Sequence, residues 1–430
     1  MNRRLLGPAA TYAVANVFVS AFPLLLVPVL TRILSPHDYG VVALFMVAST
    51  FLTMLIGLGV QGLVPIEFYR LAHDEVAQLV SACLAVAAAS ALLVDLLLIL
   101  GWPWIAGAVG VPLHWLLVAS AFATMQFVAA LRLSVLQAQN RSGRYAAAQV
   151  TQALSCAALS VALIVLAGMA WRGRVAGVVA AAALIAGAGL VGLRNDGLLV
   201  WRTGARFLRM ATRYGITLMP HVVGGAVLAM SDQVVVAAQL GTGPAGLFAV
   251  ALSIAGGIKV VTIALNRAWA PWIYEHLPTL DDAAKRRVVR VTWAYFALVG
   301  LASVALGFIA PPVMAWLVGP AFASSADLVL VLSVGFGFGG MYFAVTNYVF
   351  HAGATARLAA VTATAGLLNL ALAWVLVGRY GLAGAGWAFA IAQCFLFLGT
   401  WRLAHRVSPM PWLAALRGGS AVVPGQGGLR

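Results

Sequence analysis

The residues best placed to do chemistry are polar and charged side chains inside long apolar runs. Lys259 stands in the middle of one run, and Gly256, Lys259, Thr262 and Asn266 recur there at helical spacing. Such a stripe, with its fixed positive charge, suits the lining of a cavity that holds an anion. In the preceding run, His221, Asp232 and Gln239 return to nearly one helical angle. An imidazole and a carboxyl there could carry a coupling ion or proton. Asp232 could equally pair with Lys259 and serve only to tie helices together. Near the start of the chain Tyr12 and Asn16 lie one turn apart, and Arg32 closes the same run. Tyr12 also reads as an interfacial aromatic, and Arg32 as a headgroup anchor. A charged side chain at mid-membrane costs about 2.5–3.5 kcal/mol, so each of these needs a partner or a wet cavity.

Helices in a bilayer must position these groups. The chain has 430 residues, 63% hydrophobic and 9% charged, whereas soluble domains carry about 25% charged residues. Twelve apolar segments are long enough to cross as helices: 8–31, 40–64, 78–101, 113–138, 146–168, 175–193, 213–239, 245–266, 290–310, 325–350, 357–377 and 382–401. Pro23 and Pro28 should bend the first. The alternating pattern of a membrane β-barrel is absent. The expected fold is therefore an all-α membrane protein of about twelve transmembrane helices. The basic start runs straight into a long apolar segment, so no cleavable signal peptide is expected. Cys83, Cys156 and Cys394 lie inside apolar runs and read as small core residues, not as a disulfide framework or metal site.

Charge sets the orientation. The 26 basic residues against 11 acidic ones give +15. They concentrate before the first span, after the fourth, between the sixth and seventh, after the eighth and at the end. Only Arg32, Arg172, Arg174 and Arg379 fall in loops on the opposite side. The positive-inside rule then places both termini in the cytoplasm. Basic loops between spans argue against nucleic acid as a partner.

The two halves repeat. A shift of 206 residues lays LSPHDYG (34–40) on LGTGPAG (240–246) and Pro65 on Pro271; a shift of 207 lays RGRVAG (172–177) on RYGLAG (379–384). Each half has an even number of spans, so the halves share one topology, as in parallel-repeat transporters. The expected organisation is a six-helix lobe at 1–200, a basic amphipathic linker at 201–213, a second six-helix lobe at 214–405 and a disordered polar tail at 406–430. In the linker, Arg202, Arg206, Arg209 and Arg213 share a helical face. They suit contact with anionic lipid headgroups, or a simple positive-inside anchor.

Enzyme signatures are missing: there is no GxxxxGK[ST] loop, HExxH or nucleophile elbow. The exterior loops are short, which disfavours a glycan polymerase or ligase. No catalytic residue, metal or cofactor is expected.

VPVLTRILSPHDYG, the following VVALF and the glycine-rich IGLGVQG (56–62) resemble the polysaccharide-unit flippases, the O-antigen type of the superfamily that also holds the multidrug and toxic-compound exporters. The likeness is strongest over Tyr12–Arg70 and continues through PWIYEHL (271–277) and GLAGAGWAFA (381–390). It implies two lobes around a central cationic cavity, which we place on Arg32 and Lys259. It implies an undecaprenyl-diphosphate-linked oligosaccharide as cargo, flipped across the bacterial inner membrane by alternating access. Glycosyltransferases and a polysaccharide polymerase would be its working partners. The competing reading is a cation-coupled small-molecule antiporter on the same fold. A membrane scaffold is disfavoured, because it would not need a charged interior.

Overall fold

The computed structural model describes residues 3–109 and 112–413. The side chains of 3–10, 13, 105–109, 218, 220–222, 224 and 228 lie outside that description, as does the end of the polar tail from 414. The helices are α1 (Arg3–Ile33), α2 (Pro36–Leu55), α3 (Leu63–Glu67), α4 (His73–Val109), α5 (Leu113–Ala138), α6 (Ser142–Val165), α7 (Ala170–Asn195), α8 (Ala205–Leu240), α9 (Thr242–Ala255), α10 (Gly257–His276), α11 (Asp282–Leu317), α12 (Ala326–His351), α13 (Thr355–Tyr380) and α14 (Leu382–Val407). No strand occurs among the described residues. Eleven stretches of the described residues are long and apolar enough to cross a membrane, and α9 with α10 makes one of them. With α8 they form the twelve expected crossings. The termini share one face of the bundle; the opposite is called the far face below.

The repeat is visible in the packing. α1 packs on α6, α2 on α5, α4 on α5, α5 on α7 and α6 on α7. The second half repeats each pairing: α8 on α13, α10 on α12, α11 on α12, α12 on α14 and α13 on α14.

Local chemistry explains the element ends. In LSPHDYG, Ser35 caps α2: its hydroxyl accepts from the Asp38 N–H, the Asp38 carboxylate accepts from the Ser35 N–H, and Pro36 takes a first-turn position. At the other end of α2 the IGLG run breaks the span. Gly57, Leu58 and Gly59 all have positive φ, and a Cβ on Gly57 would strike the ring of Phe127. The freed Gly57 N–H donates to the Ser90 hydroxyl at 2.8 Å, as a bilayer interior requires. The counterpart span breaks at Gly256, between α9 and α10.

An ion cluster locks the terminal face of the first lobe. Asp196, just past α7, accepts from Arg132 at 2.6 Å and from Arg141 at 3.1 Å. Burial alone would raise its pKa, but the two guanidiniums outweigh that and hold the carboxyl below its ordinary value. Arg132, in the last turns of α5, is thus a partnered cation.

Gly57→Ala should destabilise the protein by about 1–3 kcal/mol, through positive-φ strain and the Phe127 clash. Gly101→Ala, with open space around it, should change stability by less than about 0.5 kcal/mol. Thermal unfolding of the two variants in detergent checks the difference.

Candidate functional site

The far face is where the lobes are joined most tightly. α2 and α9, repeat counterparts, cross at their first turns, where Gly40 meets the Thr242 carbonyl and Gly246 meets the Pro36 carbonyl so closely that neither could carry a Cβ. His37 hydrogen-bonds Thr242 across the crossing. Beside it, Gly319 donates its N–H to the Thr31 hydroxyl at 3.2 Å, and the Tyr39 and Phe322 rings meet edge to face at 5.6 Å.

Arg32 belongs to this seal. Its guanidinium donates to the Trp316 carbonyl at 2.9 Å. That carbonyl lies in the last turn of α11, where helix carbonyls lack intrahelical partners and favour a cation. Arg32 is solvent-exposed, so it closes a surface contact and does not fill a core. Val27, one turn deeper, is buried in the core cluster that holds Phe248, Met314 and Phe322 of the second lobe.

The second inter-lobe seam involves α8. Phe207 and Ala211 are buried in the first-lobe cluster with Val76, Leu79 and Val80 of α4. The preceding segment is stitched to α4: Val200 N–H to the Ser81 hydroxyl, Thr203 hydroxyl to the Gln78 carbonyl, and Gly204 N–H to the Gln78 side chain. The expected linker is therefore no separate interfacial helix. Arg206, Arg209 and Arg213 sit on the first turns of α8, with Arg202 exposed ahead of it. α11, the counterpart of α4, meets α1 at Arg32 and, among the described residues, forms no comparable seam along its length.

The stripe on α10 divides. Thr262 is 1% exposed, its hydroxyl donates to the Ile258 carbonyl, and its methyl lies against Gly340. It packs inside the lobe and presents nothing to a cavity here. Asn266 accepts from the Asn347 amide at 2.8 Å, and Tyr274 donates to Asn347 at 3.2 Å. Asn266 also borders an aromatic pocket of about 420 Å³ with Trp269, Trp272 and Tyr295. Lys259 is exposed and has no ion pair or hydrogen bond from its ammonium among the described residues.

Asp232 does not pair with Lys259. It is 3% exposed and accepts from the Asn369 amide at 3.0 Å, and that same amide also donates to Ser231. Its second oxygen has no hydrogen-bond partner. His221, the other coupling candidate, has its side chain outside the described residues.

The counterpart pair α1–α6 holds a different cluster. Asn16 accepts from Tyr145 at 3.1 Å and from Gln149 at 3.2 Å, while Tyr12 meets Tyr145 edge to face at 4.9 Å. Sequence reading found Tyr12 and Asn16 but missed Tyr145 and Gln149. Their spacing of one helical turn was the available signal. Asn369, a lone amide in an apolar span, offered only its isolation. Among the described residues no group of three or more His, Cys, Asp or Glu is placed to hold a metal ion.

Comparison with known proteins places this arrangement. The profile of the family described as polysaccharide biosynthesis protein matches residues 7–276. No curated protein matches. Among solved structures, the lipid II flippase MurJ in an inward closed conformation aligns with a TM-score of 0.74 at 14% identity, covering 94% of this chain and 90% of that one. A multidrug resistance MATE family transporter of the MOP superfamily, inward-facing, aligns with a TM-score of 0.66 at 13% identity, covering 93% and 96%. An outward-facing structure of the same description gives 0.56 at 14%, covering 96% and 97%.

Arg32→Ala should loosen the far face. With cysteines at His37 and Thr242, a short thiol cross-linker should join the lobes several-fold more slowly in Arg32→Ala, an effect of about 1 kcal/mol for one exposed charge-assisted bond. Arg172→Ala, which removes a far-face arginine lying over Trp171, should leave the rate unchanged.

Proposed function

We propose that this chain, a member of the polysaccharide biosynthesis protein family, flips an oligosaccharide carried on a polyprenyl diphosphate across the bacterial inner membrane. The observation that carries the reading is the uneven closure of the two lobes in a chain of that family. One side is sealed along α4 and α8, while α1 and α11 are left without a comparable seam. A cargo with a sugar head and a lipid tail needs such a one-sided gap: the head enters a polar interior and the tail stays in the bilayer.

In this reading the terminal face is cytoplasmic, as its basic residues require, and the sealed far face is exterior. Lys259, an exposed cation of α10 with no partner among the described residues, receives the diphosphate as a compact point charge. Asn16 and Tyr12 offer hydrogen bonds to the glycan. Arg32 first latches the seal; once the lobes rock apart its guanidinium is free to meet the departing anion. An inside-negative potential drives an anion outward by about 2.3 kcal/mol per charge per 100 mV. Asp232, buried with no cation beside it among the described residues, is the group to take up a coupling proton. Glycosyltransferases would build the cargo and a polymerase would join the delivered units, as in O-antigen, capsule or exopolysaccharide assembly. The buried Asp232 also favours the second reading, a cation-coupled exporter of small molecules.

Complementation separates them. In a strain deleted for this gene, the wild-type chain should restore surface polysaccharide, and Lys259→Ala should lower the yield by about tenfold, the value of one charge-assisted phosphate contact. Arg32→Ala should lower it less. Full restoration by the double variant, or altered drug tolerance with intact surface glycan, would contradict the flippase reading.

A further inference from the structure

The start of α8 carries more positive charge than its surroundings compensate. Arg206, Arg209 and Arg213 border a cleft of about 630 Å³ on the terminal face. Arg206 is paired with Glu75 of α4 at 3.3 Å. The guanidiniums of Arg209 and Arg213 have no ion pair or hydrogen bond among the described residues. Like charges three and four residues apart on a helix repel each other, so this spacing is unfavourable unless an anion offsets it.

The cleft has a lining suited to one. Tyr214 and Thr217 line it beside the arginines, the Thr217 hydroxyl donating to the Arg213 carbonyl, and Leu63 and Met210 give it an apolar side. Leu63 belongs to α3 in the first lobe and the arginines to the first helix of the second, so an occupant touches both. Guanidinium forks bind phosphate oxygens in pairs, and an apolar wall beside them accepts the first carbons of a lipid chain.

We infer that this cleft binds the diphosphate group of a polyprenyl-linked lipid at the terminal face, beside the seam of α4 and α8. The site rests on the flippase reading for its cargo, but its chemistry can be tested apart from transport. The full-length chain in phosphatidylcholine nanodiscs is titrated with farnesyl diphosphate and with inorganic pyrophosphate. Both should bind, and Arg209→Gln combined with Arg213→Gln should weaken binding about tenfold or more. Glu75→Gln, which releases Arg206, should tighten binding a few-fold. Arg202→Gln, outside the cleft, should leave this binding unchanged. Nanodiscs rich in phosphatidylglycerol should shift the farnesyl diphosphate affinity by less than about threefold, the expectation for a site that takes two adjacent phosphates over a single diester.

Wild-type affinity in the Arg209 and Arg213 double variant would overturn the assignment. So would loss of diphosphate binding in phosphatidylglycerol, which would make the cleft a general headgroup contact. A chain that binds the diphosphate here yet fails to restore surface glycan would uphold the site and contradict the flippase reading. Full transport by a double variant that no longer binds would remove the site and leave that reading standing.

Discussion

Everything in the arrangement depends on the backbone contact between Gly40 of α2 and Gly246 of α9. These two glycines are repeat counterparts, and each meets the opposite helix at a carbonyl where no Cβ would fit. In a bilayer there is no hydrophobic gain from pressing helices together, so close packing between small residues does the work. The crossing fixes the distance between the lobes at the far face. The Arg32–Trp316 bond, the Thr31–Gly319 bond and the Tyr39–Phe322 rings then fall into place around it. A contact made of backbone carries little side-chain entropy and no buried ion.

The first helix of each lobe reaches into the other lobe, but at opposite ends. α1 buries Val27 in the second lobe near the far face, and α8 buries Phe207 and Ala211 in the first lobe near the terminal face. A strict two-fold would place both contacts at the same height. The difference leaves α4 packed on α8, while among the described residues α11 lacks the matching seam to α1. Packed interfaces hold two arrangements better than a continuum between them. Exchange of these two burials is a natural path to the opposite state.

Much of the fold was legible because a bilayer leaves few choices. Twelve apolar runs became twelve crossings, and LSPHDYG became a capped helix start, since its Ser, Pro and Asp meet the needs of unsatisfied backbone groups. The breaks in the second and eighth spans were harder to read, because glycine is tolerated within membrane helices and only IGLG concentrates it. Side-chain partnership was the least legible. Periodicity put Lys259, Thr262 and Asn266 on one stripe, yet neighbouring helices turned Thr262 inward and tied Asn266 to Asn347. It set Asp232 near Lys259 in the reading, while the folded chain gave Asp232 to Asn369. Which helix packs beside which is a tertiary fact, and the sequence of one helix does not contain it.

The central claim is that the glycine crossing holds one of two alternating states. Spin labels at Leu166 and Tyr380 report the far face, and labels at Gly143 and Ala356 report the terminal face; all four positions are exposed in the structure. Double electron–electron resonance in nanodiscs should give one short far-face distance in the wild-type chain. Gly246→Leu should lengthen it and shorten the terminal-face distance in step. Unchanged distances at both faces, or lengthening at both together, would contradict alternation about this contact.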